Sequence, residues 1–356
     1  MIKFSKQTIK LSLIFVIIAT VIITQTACKN TKDVEPVSKE GFYLDTVCKI
    51  SIYDMDGDLD KEKAEAAINK AYKRCRELEN TLSNTIETSE VSQINNAGGN
   101  WVTVGKDTLK VVKAGVKYGE LSDGDFDITI GSVSGLWDFQ SENPVVPEQS
   151  KITEALKHVN YKNIQFDGNK IRIIDPKAKL DLGGIAKGYV ADELTILLEK
   201  EGVTSAVINL GGNISTIGGK PDGSPFIIGI EKPYTDRTEI IGTTTADNQT
   251  VVTSGIYERQ FVTSGIYERQ FQKDGKIYHH VLSSKTGYPV ETQLEAVSLV
   301  AKKGRSMDVD AMSTICLMKG VDGGKAFIKK QKGVEAVFSA QGKEVAKTKG
   351  MKFTAE

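Results

Sequence analysis

The chain has 356 residues, with 46 Lys and Arg against 46 Asp and Glu, 40% hydrophobic residues and 7% aromatic residues. This is the composition of a globular protein, and it argues against disordered, fibrous and multi-span membrane classes. A formal net charge of zero supplies no basic surface that would displace counterions from phosphates, so we expect no nucleic-acid partner.

The N-terminus has the pattern of an export signal. Lys3, Lys6 and Lys10 precede an apolar run at 11–23, which is shorter than the roughly 20 residues of a membrane-spanning helix and fits the core of a signal peptide. Small residues then lead into Cys28, and the segment resembles a bacterial lipoprotein signal in which Cys28 is lipidated and becomes the mature N-terminus.

This pattern divides the chain into three parts. We expect a lipoprotein signal peptide at 1–27, a polar tether at 28–40 and a single folded domain at 41–356. The protein is then exported and anchored through Cys28 to the outer face of the cytoplasmic membrane. An uncleaved anchor is the alternative, and it places the folded domain on the same side.

Alternating and helical hydrophobic patterns predict the elements that follow. In chain order we expect a strand at 43–53, helices at 61–80 and 107–121, a strand at 170–174, a helix at 186–201 and a strand at 205–210. Helices and strands mix without a regular βαβ period. The prediction is therefore one compact α+β (mixed α/β) body, with mixed sheets flanked by helices.

The cysteines carry no recognisable motif. With Cys28 set aside, Cys48, Cys75 and Cys316 are too far apart in sequence for a redox or zinc pattern. Cys75 falls in a helical pattern and Cys316 in an apolar stretch, so we interpret both as small buried hydrophobic residues.

A ten-residue sequence, VTSGIYERQF, occurs at 252–261 and again at 262–271. Two short copies do not make a solenoid. Only one copy can occupy a given strand register, so the other must form a loop or lengthen a hairpin. The second copy is favoured for this, because it runs into 272–280, where Asp274-Gly275 is a strong hairpin signal; which copy is seated in the fold stays open.

Two glycine-rich turns are candidates for binding an anion. In LDLGGIAKGY (180–189), paired glycines precede a predicted helix, so backbone N–H groups and a helix N-terminus can face an anion, with Lys187 adding charge. INLGGNIS (208–215) is interpreted as a second such turn. For each, a plain tight turn is the alternative.

Two further segments carry possible chemistry. In DVDAMST (308–314), Asp310 and Thr314 lie four residues apart, which places them on one face of a helix and suits an oxygen-only Mg²⁺ site completed by a backbone carbonyl. Helix capping by an Asp is the alternative. His280, beside a Gly-Tyr-Pro turn, is a candidate general base, although a solvated histidine at a strand end is equally compatible.

Taken in order, DITIG, LGGIAKGY, TSG-YER, HH-L with KTGYP, and DA-ST resemble the ApbE-type flavin transferases, or FAD:protein FMN transferases. The resemblance spans about 41–351 and implies an ApbE-like body. It implies transfer of FMN from FAD, with Mg²⁺, to a Thr or Ser hydroxyl of a target protein and release of AMP. One departure is Ser283-Ser284, where relatives commonly have Asp-Pro before Lys-Thr-Gly.

The resemblance also implies roles for individual residues. Asp310, Thr314 and the Gly184 carbonyl would bind the metal, and His280 would orient or deprotonate the acceptor, with Asp310 as the other catalytic residue. FAD would contact residues in five segments: Leu44; Ser83, Asn84 and Thr85; Asp125, Phe126 and Asp127; Asp181 and Lys187; and Leu282.

The acceptor implied by the family is a membrane redox subunit with a Ser/Thr-Gly-Ala-Ser/Thr-like motif. Two other functions fit the same residues: a Mg²⁺-dependent FAD pyrophosphatase, in which water replaces the acceptor hydroxyl, and a non-catalytic flavin-binding lipoprotein.

Overall fold

A computed structural model describes residues 34–356 apart from 140, 142, 234–238, 257–258, 263–264, 269 and 342–344, with the backbone alone for 259–262 and 265–268. The predicted signal peptide and the lipidated Cys28 lie outside these residues. From Pro36 onwards the chain forms one compact unit.

The described residues contain seven α-helices, here numbered in chain order. They are α1 (Lys61–Leu82), α2 (Glu90–Asn96), α3 (Lys106–Leu121), α4 (Gly131–Ser134), α5 (Gln149–Leu156), α6 (Ala186–Lys200) and α7 (Ser306–Ile328), with a 3₁₀ turn at Tyr161–Asn163. None of these helices is long and apolar enough to cross a bilayer.

The strands form one large sheet and four small ones. The large sheet contains β1 (Val37–Tyr43), β2 (Thr46–Met55), β6 (Val203–Leu210), β7 (Asn213–Ile217), β10 (Gln249–Gly255), β15 (Leu294–Lys302), β16 (Val334–Ala340) and β17 (Ala346–Lys347). They lie side by side in that order, and every neighbouring pair is antiparallel.

The small sheets contain the remaining strands. Two have three strands: β3 (Val102–Thr103) with β4 (Ile164–Asp167) and β5 (Lys170–Ile173), and β8 (Phe226–Glu231) with β9 (Ile240–Ala246) and β18 (Thr354–Ala355). Two are hairpins: β11 (Arg259–Val262) with β12 (Gly265–Glu268), and β13 (Gln270–Lys273) with β14 (Lys276–His279).

The large sheet is buried on both faces. Because side chains alternate along a strand, Ile208 of β6 lies in the main core with Ile68 of α1 and Ile315 of α7. Its neighbour Val207 points the other way, against a second core that includes Phe226 of β8. The sheet is therefore sandwiched between a helical layer and a small sheet, which confirms the predicted α+β body.

Helix prediction was accurate where the helical period was clear. The observed α1, α3 and α6 begin and end within two residues of the predicted helices at 61–80, 107–121 and 186–201. The strand predicted at 43–53 is confirmed from Thr46 onwards as β2, but Leu44 and Asp45 both adopt a φ of 55° and turn the chain between β1 and β2. Strand β1 also takes in residues 37–40 of the predicted tether.

INLGGNIS does not precede a helix. Gly211 and Gly212, with φ of 62° and 90°, form the tight turn that joins β6 to β7. A side chain at Gly211 would come within 2.3 Å of the Thr46 hydroxyl oxygen, so this turn requires glycine. The prediction of a second anion-binding turn was wrong here, and the plain tight turn is correct.

The tandem repeat is divided between several elements. The first four residues of the first copy complete β10 in the large sheet, between β7 and β15. The last two residues of the second copy, Gln270 and Phe271, begin the β13–β14 hairpin. Between them lies the extra hairpin β11–β12. The predicted turn at Asp274-Gly275 is present, with φ of 51° and 77°.

Candidate functional site

A cavity of about 810 Å³ opens between α6, α7, the end of β10 and the loops around them. Its lining includes every residue that the sequence and the family resemblance selected: Leu44, Ser83, Asn84, Thr85, Asp125, Phe126, Asp127, Asp181, Gly184, Lys187, His280, Leu282, Asp310 and Thr314. A pocket of this size is large enough for a dinucleotide-sized ligand.

Asp310 and Thr314 lie on α7 at the deep end of the cavity. Asp310 is 3% exposed, and its Oδ2 accepts a hydrogen bond of 2.8 Å from the backbone N–H of Gly188. The helix begins after Arg305, so Asp310 lies within the helix and does not cap it. Its backbone carbonyl accepts hydrogen bonds from the hydroxyls of Ser313 and Thr314.

The glycine turn at the start of α6 faces the same place. A Cβ atom built on Gly184 would lie 3.4 Å from Thr314 Oγ1 and 3.0 Å from the Phe126 ring. At Gly188 a Cβ atom would lie 2.2 Å from the Ser306 carbonyl oxygen and 2.7 Å from Asp310 Cβ. Gly188 therefore lets the backbone of α6 approach α7 more closely than any other residue would, and Gly184 packs beside the Phe126 ring and Thr314.

The first turn of α6 remains open towards the cavity. The N-cap residue Ile185 supplies no side-chain cap, although the N–H of Gly188 in this turn donates to Asp310, and Gly183, Gly184 and Ala186 line the cavity beside the turn. Asp181 is held in place because Oδ1 accepts from Gly183 N and Oδ2 accepts from the Ser134 hydroxyl. Lys187 Nζ donates to the Gly183 carbonyl at 3.3 Å. A helix N-terminus with an adjacent lysine is an arrangement that favours an anionic group.

The two aspartates of the DFD segment have different environments. Burial alone would raise the pKa of Asp125, but hydrogen bonds from Lys285 and Lys319 outweigh it and hold that pKa below its ordinary value. Asp127 is 7% exposed, and burial raises its pKa despite hydrogen bonds from Thr129 and the Tyr161 backbone. The Asp127 carboxylate thus holds the DFD segment to the backbone of Tyr161.

The β1–β2 turn forms another wall of the cavity. The Leu44 N–H donates to Glu79 Oε1 at 2.7 Å, and Glu79 also pairs with Arg76. The Arg76 guanidinium lies 4.5 Å from the centroid of the Tyr43 ring. Arg76 and Glu79 line the cavity, although nothing in the sequence pattern distinguishes them from the other charged residues of an amphipathic helix.

Just after α1, the Ser83–Thr85 turn is closed by the Ser83 hydroxyl. Its oxygen accepts from the backbone N–H groups of Thr85 and Ile86. The turn therefore presents Ser83, Asn84 and Thr85 to the cavity as a fixed unit.

An aromatic wall, absent from the sequence prediction, forms a further part of the cavity lining. Trp137 and Phe139 both line the cavity and stack with ring centroids 5.5 Å apart. Behind them, Phe271 and Tyr278 of the β13–β14 hairpin stack at 5.2 Å, and Tyr288 meets Trp137 edge-on at 5.7 Å. Such a surface is suited to a flat aromatic ligand. Only its high local content of aromatic residues could have drawn attention to it.

The two histidines at the end of β14, His279 and His280, differ in burial. His279 is 4% exposed, and burial, with a smaller contribution from the neighbouring His280, lowers its pKa to about 4. Its Nε2 lies 3.2 Å from the Val290 carbonyl oxygen. His280 is half-buried and lines the cavity. The structure thus separates a neutral core histidine from one that reaches the cavity.

The Ser283-Ser284 departure does not prevent a tight turn. The Ser283 carbonyl accepts from Gly287 N at 2.8 Å, and the Ser284 hydroxyl donates to the Gly124 carbonyl at 2.6 Å. Hydrogen bonds replace the stiffness that a proline would supply, and the bond to Gly124 ties this turn to the DFD segment.

Fold and cavity together define a protein with a site suited to an extended ligand that has an anionic middle and an aromatic end. The chain belongs to the ApbE family, whose model matches residues 44–262 and 260–338. The two matched segments meet within the tandem repeat.

Curated relatives and solved structures agree with this assignment. The chain is 30% identical to an FAD:protein FMN transferase of Klebsiella pneumoniae over 284 residues, which cover 79% of this chain and 84% of that protein. It is 26% identical to an FAD:protein FMN transferase of Treponema pallidum, over 91% of this chain and 90% of that protein.

Two solved structures show the same fold. The ApbE protein of Thermotoga maritima matches with a TM-score of 0.76 and 29% identity, over 88% of this chain and 97% of that chain. The flavinyl transferase ApbE of Pseudomonas stutzeri, in its apo form, matches with a TM-score of 0.72 and 25% identity, over 90% of this chain and 94% of that chain.

Proposed function

We propose that this protein transfers FMN from FAD to a Thr or Ser hydroxyl of a target protein, with Mg²⁺ and with release of AMP. The observation that carries the proposal is the convergence of Asp310, Thr314 and the Gly184 turn in one cavity with an aromatic wall. The names of the curated relatives support the same reaction.

The residues at the deep end of the cavity fit Mg²⁺. Within the described part of the chain, no group of three His, Cys, Asp or Glu side chains could hold a metal ion, so hydroxyl and carbonyl oxygens would have to complete this site. Asp310 and Thr314, with the Gly184 carbonyl, would offer a small set of hard oxygen donors and leave positions for water and phosphate oxygens. When bound, Mg²⁺ would neutralise charge on the diphosphate of FAD.

The chain's own residues would position the reactants. The glycine turn before α6 and Lys187 line the cavity where the diphosphate would lie, and they would stabilise charge that grows on it. The flavin ring would pack against Trp137 and Phe139, which form the flat surface of the cavity.

In the transfer itself, the acceptor hydroxyl oxygen forms a bond to the phosphorus of the FMN portion. The bond from that phosphorus to the bridging oxygen breaks, and AMP leaves with the bridging oxygen. His280 would take the hydroxyl proton, because it lines the cavity and is less buried than its neighbour His279.

The location of the reaction is part of the proposal. The signal-like segment and Cys28 support an exported lipoprotein held at the outer face of the cytoplasmic membrane. The acceptor would be a membrane redox subunit that carries a Ser/Thr-Gly-Ala-Ser/Thr-like motif. Intact-mass analysis of the membrane-extracted protein should show a chain that begins at lipidated Cys28, and a full-length or unlipidated chain would contradict this part.

A single assay tests the reaction. The protein is mixed with FAD, Mg²⁺ and an acceptor domain, and two products are measured: AMP, and flavin fluorescence that stays on the acceptor after denaturation. We expect both products from the unaltered protein. AMP without a labelled acceptor would identify an FAD pyrophosphatase, and neither product with retained FAD binding would identify a flavin-binding lipoprotein; each result would overturn the transferase proposal.

A further inference from the structure

Helices α6 and α7 hold each other through two buried carboxylates. Asp310 of α7 accepts from the backbone N–H of Gly188 in α6 at 2.8 Å. Asp192 of α6 accepts from the backbone N–H groups of Ser306, at 2.9 Å, and Met307, at 3.0 Å, in α7. Asp192 lies four residues after Gly188, and Asp310 lies four residues after Ser306. On each helix, therefore, the carboxylate lies about one turn after the N–H that the other helix binds.

The bonds to Asp192 complete the start of α7. Ser306 and Met307 are its first two residues, and the N-cap residue Arg305 supplies no side-chain hydrogen bond. The first N–H groups of a helix have no partner within that helix. Ser306 is fully buried, so leaving its N–H unpaired would be costly. Helix α7 is thus capped by a residue of α6 and not by the segment that precedes it.

The capped turn leads directly to the proposed metal ligands. Asp310 follows Ser306 by about one helical turn, and Thr314 follows it by about two. The Ser306 hydroxyl also donates to Thr250 Oγ1 at 2.8 Å, which ties the same residue to β10. Because the bond to Gly188 lies one turn further along α7, any slide or rotation of α7 on α6 would strain both carboxylate contacts.

We propose that Asp192 is a positioning residue for the metal site: by capping α7 from α6, it sets the height and rotation at which Asp310 and Thr314 face the glycine turn. This inference rests on the proposed Mg²⁺-dependent function of the cavity. Asp192 is 7% exposed and is not among the described residues that line the cavity, so it acts on the ligand only through α7.

Two substitutions remove the cap in steps. Asp192→Asn keeps one acceptor oxygen, but its amide nitrogen would face the second N–H, donor against donor. Asp192→Ala removes both acceptors. The matched control is Val251→Ala, which truncates a buried side chain in the second core, on the other face of the large sheet. The control should lower stability while the contacts between α6 and α7 stay intact.

Metal binding can be measured apart from FMN transfer. The full chain is titrated with Mn²⁺ in the presence of FAD and without an acceptor, and the EPR signal of free Mn²⁺ gives the dissociation constant. Removing a group that orients a metal ligand typically weakens metal binding by about 10- to 100-fold. We expect a loss in that range for Asp192→Ala, a smaller loss for Asp192→Asn and none for Val251→Ala.

Three outcomes of this titration would overturn the proposal. One is an unchanged Mn²⁺ affinity in both Asp192 variants, and another is an equal loss of affinity in Val251→Ala. The third is failure of both Asp192 variants to fold, because Asp192 would then be required by the whole fold and not by the metal site in particular.

The Mg²⁺ dependence of AMP release is a second measurement. In the Asp192 variants the half-saturating Mg²⁺ concentration should rise, and saturating Mg²⁺ should restore most of the rate, whereas Asp310→Asn should stay slow at every Mg²⁺ concentration. A lower maximum rate with an unchanged half-saturating concentration would contradict a positioning role. If the unaltered protein releases no AMP, the proposed function fails, and the Mn²⁺ titration still decides the role of Asp192.

Discussion

The buried carboxylate of Asp310 accepts a hydrogen bond of 2.8 Å from the backbone N–H of Gly188, and this bond joins α7 to the first turn of α6. Both helices contribute to the deep end of the cavity, so one contact fixes the relative position of the proposed metal ligand and of the glycine turn. Asp310 therefore has a structural role and a proposed electrostatic role, which different substitutions can separate.

Asp310→Asn should abolish most FMN transfer while preserving the fold. Asn keeps a side-chain oxygen for the Gly188 N–H but removes the negative charge that the cation needs. We expect a fall of about 10²- to 10³-fold in the rate of AMP release, comparable with the loss of one transition-state contact. Asp322→Asn, an exposed position beyond the kink of α7 at Gly320, is the matched control and should keep full activity. Equal rates for the two variants would refute the role of Asp310.

Gly188→Ala should separate α6 from α7. The added Cβ would lie 2.2 Å from the Ser306 carbonyl oxygen, and a backbone atom in a packed helix cannot move aside as a side-chain end can. Overpacking of this kind costs about 1–3 kcal/mol. Denaturant unfolding should show that loss, and titration with FAD should show weaker binding. If the stability and the FAD affinity are both unchanged, the close packing of α6 on α7 at Gly188 is contradicted.

The sequence predicted the helices and the members of the site better than the shape of the cavity. A helix such as α1 carries a repeated apolar period, so its bounds were predicted within two residues. The β1–β2 turn was missed because hydrophobic alternation continues through Leu44 and Asp45, and a positive φ at two residues other than glycine has no simple sequence signal. Position in the chain alone could not show that Leu44 meets Glu79.

The aromatic wall shows a different limit. Trp137 and Phe139 precede α5, whereas Phe271 and Tyr278 belong to a hairpin much later in the chain. Their contact results from tertiary packing, since no spacing rule links the two segments. The glycine and aspartate motifs were predictable because each is local: one turn or one helical step determines its geometry.

The two copies of the repeat should differ in their contribution to the aromatic wall. Phe271, from the second copy, stacks on Tyr278 at 5.2 Å and lies 5.9 Å from Phe139, so Phe271→Ala should loosen the wall and weaken FAD binding. Phe261 is the same residue of the first copy, and Phe261→Ala is the matched control. Fluorescence titration with FAD would compare them; an equal loss in both variants would contradict the assignment of Phe271 to the wall.

Removing one copy should leave the cavity intact. Because 252–261 and 262–271 are identical, deleting either one yields the same chain, in which a single copy both completes β10 and enters the β13–β14 hairpin. We expect the deletion to remove the β11–β12 hairpin while FAD affinity and AMP release are retained. Insoluble protein or lost FAD binding would show that the extra hairpin is required by the fold.

The stability of the fold should depend on pH through His279. Burial, together with the nearby His280 and against the bond to the Val290 carbonyl, lowers the pKa of His279 from 6.5 to about 4. Between these two values the unfolded chain binds a proton at this position and the folded chain does not, so folding becomes less favourable as the pH falls. The contribution is fully present above pH 6.5 and is lost as the pH falls through about 4.

His279→Gln removes this titration, so its free energy of unfolding should fall less steeply across the same window. Denaturant titrations at several pH values on both sides of the window would measure the difference. His158→Gln, which alters a half-buried histidine paired with Asp175, is the control and should keep the His279-dependent loss. If His279→Gln and the unaltered protein lose stability in parallel, the proton taken up on unfolding belongs to another group.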